Sequence, residues 1–598
     1  MDYYGFYTGT EFEAYKYLGA HCYGDVTVFR TFAPSAERIS LIGEFSDWNE
    51  IPMYKVGDGN FWECEVHGAK QYDMYKYRIY KRGGNVTDHC DPYGFYSELR
   101  PGNASKIFDS KYEFNDKKWL VSRGDFYNKP INIYELHFGS WRTKADAETI
   151  PESWYQYDEL GELLIPYLKK NGYNYVEIMP LNEYPCDESW GYQGTGFFSA
   201  TARYGDPDGL RKFVDECHQN GIGVILDFVP VHFAVDGYAL WNYDGTSLYE
   251  YPNSDVGRSE WGSCNFMHSR GEVRSFLQSA ALFWLSEFHM DGLRMDAVSN
   301  LIYWQGDPKR GVNGMTRDFI MNMNCGLKQR VPGIMLIAED SSSYDGVTRP
   351  VFDGGLGFDF KWDLGWMNDT LNYFRLSPEQ RKYDYHKLTF SMMYYYNERY
   401  ILPLSHDEVV HGKATIIQKM NGEYDVKFPQ ARALYLYMMA HPGKKLNFMG
   451  NEIAQFREWD EKREQDWDIL KYPNHDAFHE YIKKLNSIYL ETPAFYGDDF
   501  STNGFNWLDC HSEELCVYSF IRKCEDSNVL AVFNFSDKTV DYSLNVEDIK
   551  SLTEVICSED SRFGGCVESK KRKAPVIKDG VAKFNLPPFS GQLYDVKY

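Results

Sequence analysis

Two kinds of hydrophobic pattern alternate along the chain. From about residue 20 to 110, and again after about residue 490, short runs alternate apolar and polar residues and are separated by turn-forming segments. This pattern predicts β-strands with one buried face. Between these regions, fully apolar runs are separated by segments with helical spacing, the clearest at 272–288. Strands that alternate with helices predict a parallel sheet, flanked here by two all-β regions.

The central region contains eight strand candidates, which is the number needed for a closed (β/α)8 TIM barrel. In chain order they are INIYELH, YVEIMP, GVILDF, DGLRMD, IMLIAE, FDFKWD, YILPLSH and KKLNFM. An open, doubly wound sheet is the competing architecture for the same pattern. The segment 180–207 is too long for an ordinary loop and is rich in aromatic residues, so we expect an insertion over the barrel mouth.

The length of 598 residues also favours several domains, because one hydrophobic core rarely serves so long a chain. We therefore predict a multidomain α/β protein whose central barrel is flanked by β-domains. The expected boundaries are a short N-terminal lead at 1–19, a β-sandwich at 20–110, the barrel at 111–490 and a C-terminal β-sandwich domain at 491–598.

Four of the apolar runs end in residues that can do chemistry. In a parallel barrel the carboxyl ends of all strands meet at one mouth, so these side chains are expected to gather there. Any one of them alone could be a helix cap, a loop residue or half of a structural ion pair. Their recurrence at the third, fourth, fifth and seventh strands favours a site. They are Asp227, Arg294, Asp296, Glu339, His406 and Asp407.

The residue types suit the cleavage of a glycosidic bond. Arg294 and Asp296 are two positions apart in a strand and point to the same side, where the arginine keeps the carboxylate ionised as a nucleophile requires. Glu339 follows four apolar residues, so we expect it to be half desolvated and suited to act as a general acid. Cleavage with retention of configuration needs such a pair about 5 Å apart. Asp407 supplies a third carboxylate that can bind sugar hydroxyls.

Composition narrows the range of partners. The formal net charge of −24 argues against an extended surface for binding nucleic acid. The N-terminus does not resemble a signal peptide, and no apolar run is long enough to span a membrane, so we expect a cytoplasmic protein with no membrane partner. We also expect a monomer. The 12 cysteines form no CxxC pair, which argues against a zinc site. We expect no metal and no cofactor.

Aromatic residues make up 17% of the chain, which is consistent with a large core and with rings that stack on sugars. In the N-terminal β-region, Trp48 and Trp62 are candidate surface sites for a glucan. Each could equally be a core residue of the sandwich, and the sequence leaves both interpretations open.

Several motifs resemble those of a known family. DFVPVHF, DGLRMDAVS, AEDSSS and LSHDEVVHGK resemble the four sequence regions of the α-amylase superfamily, glycoside hydrolase family 13. Within that superfamily, IYELHFGSWR, ESWGYQGTGFFSATARYG and LNFMGNEIAQFREWD resemble the 1,4-α-glucan (glycogen) branching enzymes. RTFAPSAERISLIGEFSDWN is similar to the carbohydrate-binding module of family 48, which precedes the barrel in these enzymes.

The resemblance implies roles for individual residues. Asp296 would be the nucleophile, Glu339 the general acid/base and Asp407 the stabiliser of the transition state. Amylases with a structural calcium carry Asn where this chain has Val231, so no calcium is expected there. The positions implied in substrate binding or in supporting the site are Tyr192, Asp227, His232, Arg294, His406 and Trp459.

The implied reaction acts on glycogen or another α-1,4-glucan. The enzyme would cleave an α-1,4 bond with retention and transfer the chain to a glucose 6-hydroxyl, which forms an α-1,6 branch. An amylolytic or debranching hydrolase on the same scaffold would use the same three carboxylates and is the nearest alternative. The alternative from another class is an inactive glycogen-binding protein, which would be expected to lack one of the carboxylates.

Overall fold

A computed structural model describes residues 1–144, 154–568 and 575–598 of the protein. Packing divides the chain into two compact units, and both contain strands of the central barrel. The first unit comprises Met1–Gly124, His137–Ile165 and Glu177–Asp359; the second comprises Asp125–Leu136, Pro166–Val176 and Phe360–Tyr598.

The eight apolar runs predicted as strands form a closed parallel barrel in chain order, which confirms the barrel over the open sheet. Almost every residue of these strands is buried, as expected for a parallel sheet with side chains inside and helices outside. We label them β1 (Asn132–Leu136), β2 (Tyr175–Ile178), β3 (Gly223–Phe228), β4 (Gly292–Met295), β5 (Met335–Ala338), β6 (Phe360–Trp362), β7 (Tyr400–Leu404) and β8 (Lys444–Phe448).

The N-terminal region contains two antiparallel sheets, as the alternating pattern predicts. Along Met74–Tyr80, for example, every second residue is buried, because one face of the strand covers the core. One sheet contains Gly19–Tyr23, Val26–Phe32, Phe61–His67 and Tyr54–Val56. The other contains Arg38–Gly43, Ile51–Pro52, Met74–Tyr80, Val86–His89, Tyr96–Ser97 and Ser105–Lys106.

The 180–207 segment contributes two further strands to that second sheet. Asn182–Glu183 pairs with Gly196–Ala200, which in turn runs parallel to Tyr96–Ser97. The ring of Phe198 stacks on Tyr93 with 4.8 Å between their centroids. The insertion therefore joins the N-terminal sheet through backbone pairing and aromatic packing, a connection that its length and composition did not predict.

Helices separate most of the barrel strands. The helix predicted at 272–288 is Gly271–Glu287, and residues on all of its sides are buried. None of the helices in the described part of the chain is long and apolar enough to span a bilayer. The α-helices are Tyr3–Thr8, Lys117–Ser122, Tyr157–Asn171, Pro207–Gln219, Ser254–Gly257, Gly271–Glu287, Val298–Ile302, Gly314–Arg330, Leu364–Arg375, Pro378–Arg381, Lys387–Phe390, Ile416–Lys419, Tyr424–Ala440 and Pro473–Glu491.

The C-terminal region is built of a five-stranded and a three-stranded antiparallel sheet, as predicted for an all-β domain. Apolar residues from both sheets share one core, which includes Val532, Leu586 and Tyr594. The strands are Phe505–Ser512, Val517–Cys524, Ser527–Asn534, Val540–Asn545, Ser551–Cys557, Val576–Lys578, Val581–Leu586 and Ser590–Lys597. Two short strands, His232–Phe233 and Cys264–Asn265, pair with each other after β3.

Candidate active site

Arg294 is the centre of a charged cluster at the carboxyl ends of β3 and β4. The two strands pair with Asp227 opposite Arg294, so the strand register itself brings the two side chains together. One guanidinium nitrogen of Arg294 lies 2.9 Å from Oδ2 of Asp227 and 3.0 Å from Oδ1 of Asp296. The arginine therefore bridges a fully buried carboxylate and one that is 18% exposed.

The surroundings of Arg294 secure its positive charge. Burial alone would lower the pKa of this guanidinium, but Asp227, Tyr192, Asp296 and Glu339 more than offset that effect and raise the pKa well above its usual value. The hydroxyl of Tyr192 donates a hydrogen bond of 2.6 Å to Asp227 and lies 3.3 Å from Arg294. Tyr192 belongs to the 180–207 insertion, so part of the insertion does reach the end of β3.

Glu339 lies beside Asp296 because β4 and β5 are neighbours. Met295 pairs with Ala338, and Asp296 and Glu339 are the next residues along the two strands. The backbone N–H of Ala297 donates to Oε2 of Glu339 at 2.8 Å, and the N–H of Val298 donates to its carbonyl at 2.8 Å. Ala297 has a φ of 52°, a left-handed conformation that turns its N–H toward the glutamate.

This pairing suits a nucleophile and a general acid. Neighbouring parallel strands lie about 4.8 Å apart, and a retaining glycosidase needs its two carboxyl groups about 5–5.5 Å apart. Asp296 and Glu339 are both half-buried, so each can meet a ligand while being partly shielded from water. The strand register thus places Asp296 and Glu339 side by side after neighbouring strands.

His232 is a buried histidine with unused hydrogen-bonding capacity. It is 2% exposed, and its Nδ1 has no hydrogen-bond partner among the described residues. Burial lowers its pKa to about 4, so the ring is neutral at pH 7 and can both donate and accept. Its ring centroid lies 5.2 Å from that of Trp261, whose side chain is 47% exposed. A sugar hydroxyl is a suitable partner for such a ring.

In the second unit, His406 is held by Glu135. The backbone N–H of His406 donates to Glu135 at 3.0 Å, and Nδ1 donates to the other oxygen of the same carboxylate at 2.5 Å. This fixes the ring and directs Nε2 away from Glu135. Asp407 is 51% exposed and lies 3.5 Å from that Nε2. Trp459 is 4% exposed and packs edge-on at 6.5 Å from His406.

Sequence reasoning missed Glu135 and Trp261. Glu135 lies in the apolar run INIYELH of β1, and the isolated charge in a buried strand was the signal that could have identified it. Trp261 lies in a loop whose spacing carries no comparable signal. Among the residues that the structure describes, no group of three or more His, Cys, Asp or Glu side chains is arranged to hold a metal ion.

The two candidate surface tryptophans differ. Trp62 is 4% exposed, and its indole N–H donates to the carbonyl of Ala33 at 3.0 Å. Its prediction as a surface glucan site is wrong, because the ring is part of the sandwich core and hydrogen-bonded within it. Trp48 is 40% exposed, and its assignment as a glucan contact stays a prediction.

Three family models match this chain. They are carbohydrate-binding module 48 (isoamylase N-terminal domain) at residues 17–94, the alpha amylase catalytic domain at 163–242 and the alpha amylase C-terminal all-beta domain at 507–597. A solved structure of a putative alpha amylase from Salmonella typhimurium covers 97% of this chain and all of its own, with a TM-score of 0.73. At 17% identity, that likeness concerns the fold.

Sequence relatives match almost end to end. The 1,4-alpha-glucan branching enzyme GlgB of Fusobacterium nucleatum is 46% identical over 97% of this chain and 95% of its own. GlgB of Geobacillus stearothermophilus is 44% identical over 94% and 90%, and that of Bacillus caldolyticus is 43% identical over 100% and 90%. The chain therefore belongs to the family of 1,4-alpha-glucan branching enzymes.

Proposed function

We propose that the protein is a glycogen branching enzyme that cleaves an α-1,4-glucan and transfers the released chain to a glucose 6-hydroxyl. The observation that carries this proposal is the match to branching enzymes at 43–46% identity over nearly the whole chain. The pair Asp296 and Glu339 supports it, since a retaining mechanism needs two carboxyl groups close together and these two follow adjacent strands.

In the first half of the reaction, an oxygen of Asp296 attacks the anomeric carbon of an α-1,4 bond. Glu339 gives its proton to the departing 4-oxygen, so the C1–O4 bond breaks and a glucan chain with a free 4-hydroxyl leaves. A covalent ester between Asp296 and the donor chain remains. Arg294 keeps Asp296 oriented, and the N–H of Ala297 holds Glu339 next to the leaving oxygen.

In the second half, Glu339 acts as a base. It takes the proton of a glucose 6-hydroxyl, whose oxygen attacks C1; the O6–C1 bond forms, and the bond to Asp296 breaks. Both carboxyl groups then return to their starting states. Water in place of the acceptor would give hydrolysis, so branching depends on stabilising the transition state of sugar attack more than that of water attack.

We assign three further roles in the same reaction. Asp407 would stabilise the positive charge that develops on the sugar ring in the transition state. His406, fixed by Glu135, and His232, buried and neutral, would each bind a hydroxyl of that sugar. The exposed carboxylate of Asp407 and its position at the end of β7 support this assignment.

The experiment that tests the function incubates the protein with amylose. Branching lowers the iodine absorbance while reducing ends stay nearly constant, because each cleaved bond is replaced by a new one. Subsequent treatment with a debranching enzyme should release short linear chains. Reducing ends that rise in proportion to the loss of iodine colour would contradict branching and support an amylolytic hydrolase.

The alternatives make different predictions. A debranching enzyme would release linear chains from glycogen without further treatment. An inactive glycogen-binding protein would leave amylose unchanged, and the presence of all three predicted carboxylates in this chain argues against it. We also propose that the protein works as a cytoplasmic monomer with the domain boundaries predicted above, which light scattering and fractionation of cells would check.

A further inference from the structure

The segment 408–414, which follows Asp407 after the end of β7, has an unusual backbone, and we call it the β7 loop. His411, Gly412 and Ala414 have φ values of 57°, 78° and 67°, so three of its residues are in the left-handed region. Glycine adopts this conformation without a steric cost, whereas other residues keep it where surrounding contacts impose it. The shape of the β7 loop therefore depends on what holds it.

Glu458, in the segment that follows β8, provides the first of these contacts. One of its carboxylate oxygens accepts the N–H of Gly412 at 2.9 Å, and the other accepts the N–H of Ala414 at 2.6 Å. Hydrogen bonds to a charged acceptor are stronger than those to a neutral one, and Glu458 is half-buried, which shields them from water. The next residue, Trp459, donates its own N–H to the carbonyl of Val409 at 3.0 Å.

Lys419 holds the same loop by its carbonyl groups. It ends the short helix Ile416–Lys419, and its ammonium donates to the carbonyl of Ala414 at 2.6 Å and to that of Glu408. Lys419 is 3% exposed, and a buried ammonium needs acceptors for its N–H groups. The two ends of the β7 loop supply them. The loop is thus held by a carboxylate on its N–H groups and by an ammonium on its carbonyl groups.

The segment that carries Glu458 is itself braced by its neighbour Arg457. The guanidinium of Arg457 donates to Asp460 at 2.9 Å, to Asp466 at 3.0 Å and to the carbonyl of Glu464 at 2.6 Å. A planar guanidinium that meets three acceptors has a fixed position. Glu458 therefore contacts the β7 loop from a well-ordered base.

The β7 loop continues directly from the site residues of the second unit. Asp407 and Val409 belong to one short turn, His406–Val409, and Val409 is the residue that the backbone of Trp459 holds. The ring of Trp459 also packs edge-on at 6.5 Å from His406. The side chain of Asp407 is 51% exposed, so the position of its carboxylate depends strongly on the backbone that carries it.

We propose that Glu458 is a positioning residue of the reaction, which holds the carboxylate of Asp407 in place through its two hydrogen bonds to the β7 loop. Lys419 supports the same loop from its carbonyl side. The inference rests on the role proposed above for Asp407, and Glu458 needs no contact with the glucan to act in this way. A group that improves only the stabilisation of the transition state changes kcat and leaves KM unchanged.

The test compares variants of the full-length protein on amylose. Glu458→Ala removes both hydrogen bonds and should lower kcat for branching about 10- to 100-fold, because a misplacement of about 1 Å costs about 10²-fold. KM should stay within about twofold. Glu458→Gln keeps the shape and one acceptor oxygen, so it should lose about 3- to 10-fold in kcat. Asp468→Ala removes a 99% exposed carboxylate from the same unit and should have the wild-type rate.

Lys419→Met tests the loop from its other side. It removes the ammonium but keeps a side chain of similar length, and it should lower kcat at unchanged KM, as Glu458→Ala does. Rates are expressed per folded molecule, with the folded fraction measured by circular dichroism, so that a loss of stability is not counted as a loss of catalysis. If Glu458→Ala melts several degrees lower than the wild type, the Glu458→Gln result decides.

The ratio of new reducing ends to new branches separates this role from a direct one in acceptor binding. Asp407 serves attack by a sugar hydroxyl and by water alike, so the ratio should stay constant while kcat falls. A wild-type kcat in both Glu458 variants, or a ratio shifted toward reducing ends, would overturn the proposal. The underlying role is tested separately: Asp407→Asn with the wild-type rate would overturn the role of Asp407, and a wild type that leaves amylose unbranched would overturn the proposed function.

Discussion

The two ends of β4 carry similar charges for different purposes. Before its start, the carboxylate of Asp291 accepts hydrogen bonds from Trp119 at 2.8 Å, from His218 at 2.9 Å and from the backbone of Val224 at 2.8 Å. After its end, Asp296 accepts from Arg294 at 3.0 Å. Both are aspartates paired with a cation, and the four strand residues between them are buried.

Accessibility distinguishes the two aspartates. The side chain of Asp291 is 4% exposed and both of its oxygens accept bonds from the protein, whereas that of Asp296 is 18% exposed. A buried carboxylate whose two oxygens both accept hydrogen bonds from the protein is not available to a substrate. An ion pair next to a barrel strand therefore does not by itself indicate catalysis; the carboxyl end of the strand and an accessible oxygen do.

His218, the histidine that contacts Asp291, is a structural cation. Burial alone would lower the pKa of His218, but Asp291 and Asp116 more than offset it and raise the pKa to about 9. His218 lies 2.8 Å from Asp116 and 2.9 Å from Asp291, so it ties the connector before the barrel to the start of β4. His232, in contrast, is buried without a carboxylate and stays neutral.

The largest expected effect on activity is at Asp296, which follows the end of β4. Asp296→Asn keeps the shape of the side chain but removes the nucleophile, so the branching rate on amylose should fall by about 10⁴-fold or more. The melting temperature should change little. A variant that retains more than a tenth of the wild-type rate would remove Asp296 from the nucleophile role.

The matching substitution at Asp291, before the start of β4, should affect stability instead. Asp291→Asn breaks a buried charge pair and leaves His218 poorly compensated, which should lower the free energy of unfolding by about 3–5 kcal/mol. Urea denaturation measures the change, and the rate per folded molecule should stay within threefold. Asp526→Asn, on the surface, serves as the control. If Asp291→Asn unfolded with the wild-type free energy but lost activity, Asp291 would have a role in the reaction and not in stability.

The pH dependence of stability should report on His218. Its pKa is raised from 6.5 to about 9 by folding, so the folded state holds a proton that the unfolded state releases. The stabilisation, about 3 kcal/mol by that shift, is fully present below about pH 6.5 and is lost as the pH rises through about 9. His218→Gln should be less stable than the wild type at pH 6, and the difference should shrink by pH 9. A constant difference across this range would contradict a charged His218.

Arg294→Lys should give the smallest of the four effects. A lysine keeps the charge but presents a single nitrogen that is placed differently from the guanidinium, so it holds Asp227 and Asp296 less firmly. A misplacement of about 1 Å costs about 10²-fold in rate. The loss should appear in kcat more than in KM for amylose. A kcat equal to that of the wild type would show that the charge alone suffices.

The barrel was predictable because its strands are local signals. Each of the eight is a short apolar run, and the residues that follow β4 and β5 are polar, so pattern alone placed Asp296 and Glu339 at strand ends. Their roles came from the resemblance to a family, because an aspartate after a strand has several structural explanations. The register between neighbouring strands explains why the two carboxylates lie side by side.

Long-range partners were not predictable in the same way. His218 is 102 residues from Asp116 and 73 from Asp291, and no spacing rule links positions so far apart. Glu135 interrupts an apolar run, but its partner His406 lies 271 residues later. Trp62 was ambiguous because an aromatic residue on a sandwich strand can face either the core or the solvent, and only packing decides.

The pairing of Gly196–Ala200 with Tyr96–Ser97 has a consequence for dissecting this protein. An N-terminal module that merely preceded a barrel could be removed or exchanged for another. Here the strand Gly196–Ala200, which comes between β2 and β3 in the sequence, belongs to the sheet of that module. Excising residues 1–110 would leave this strand with an unpaired edge and uncover Phe198, which invites aggregation. The smallest transplantable part of the enzyme therefore contains both the module and the barrel.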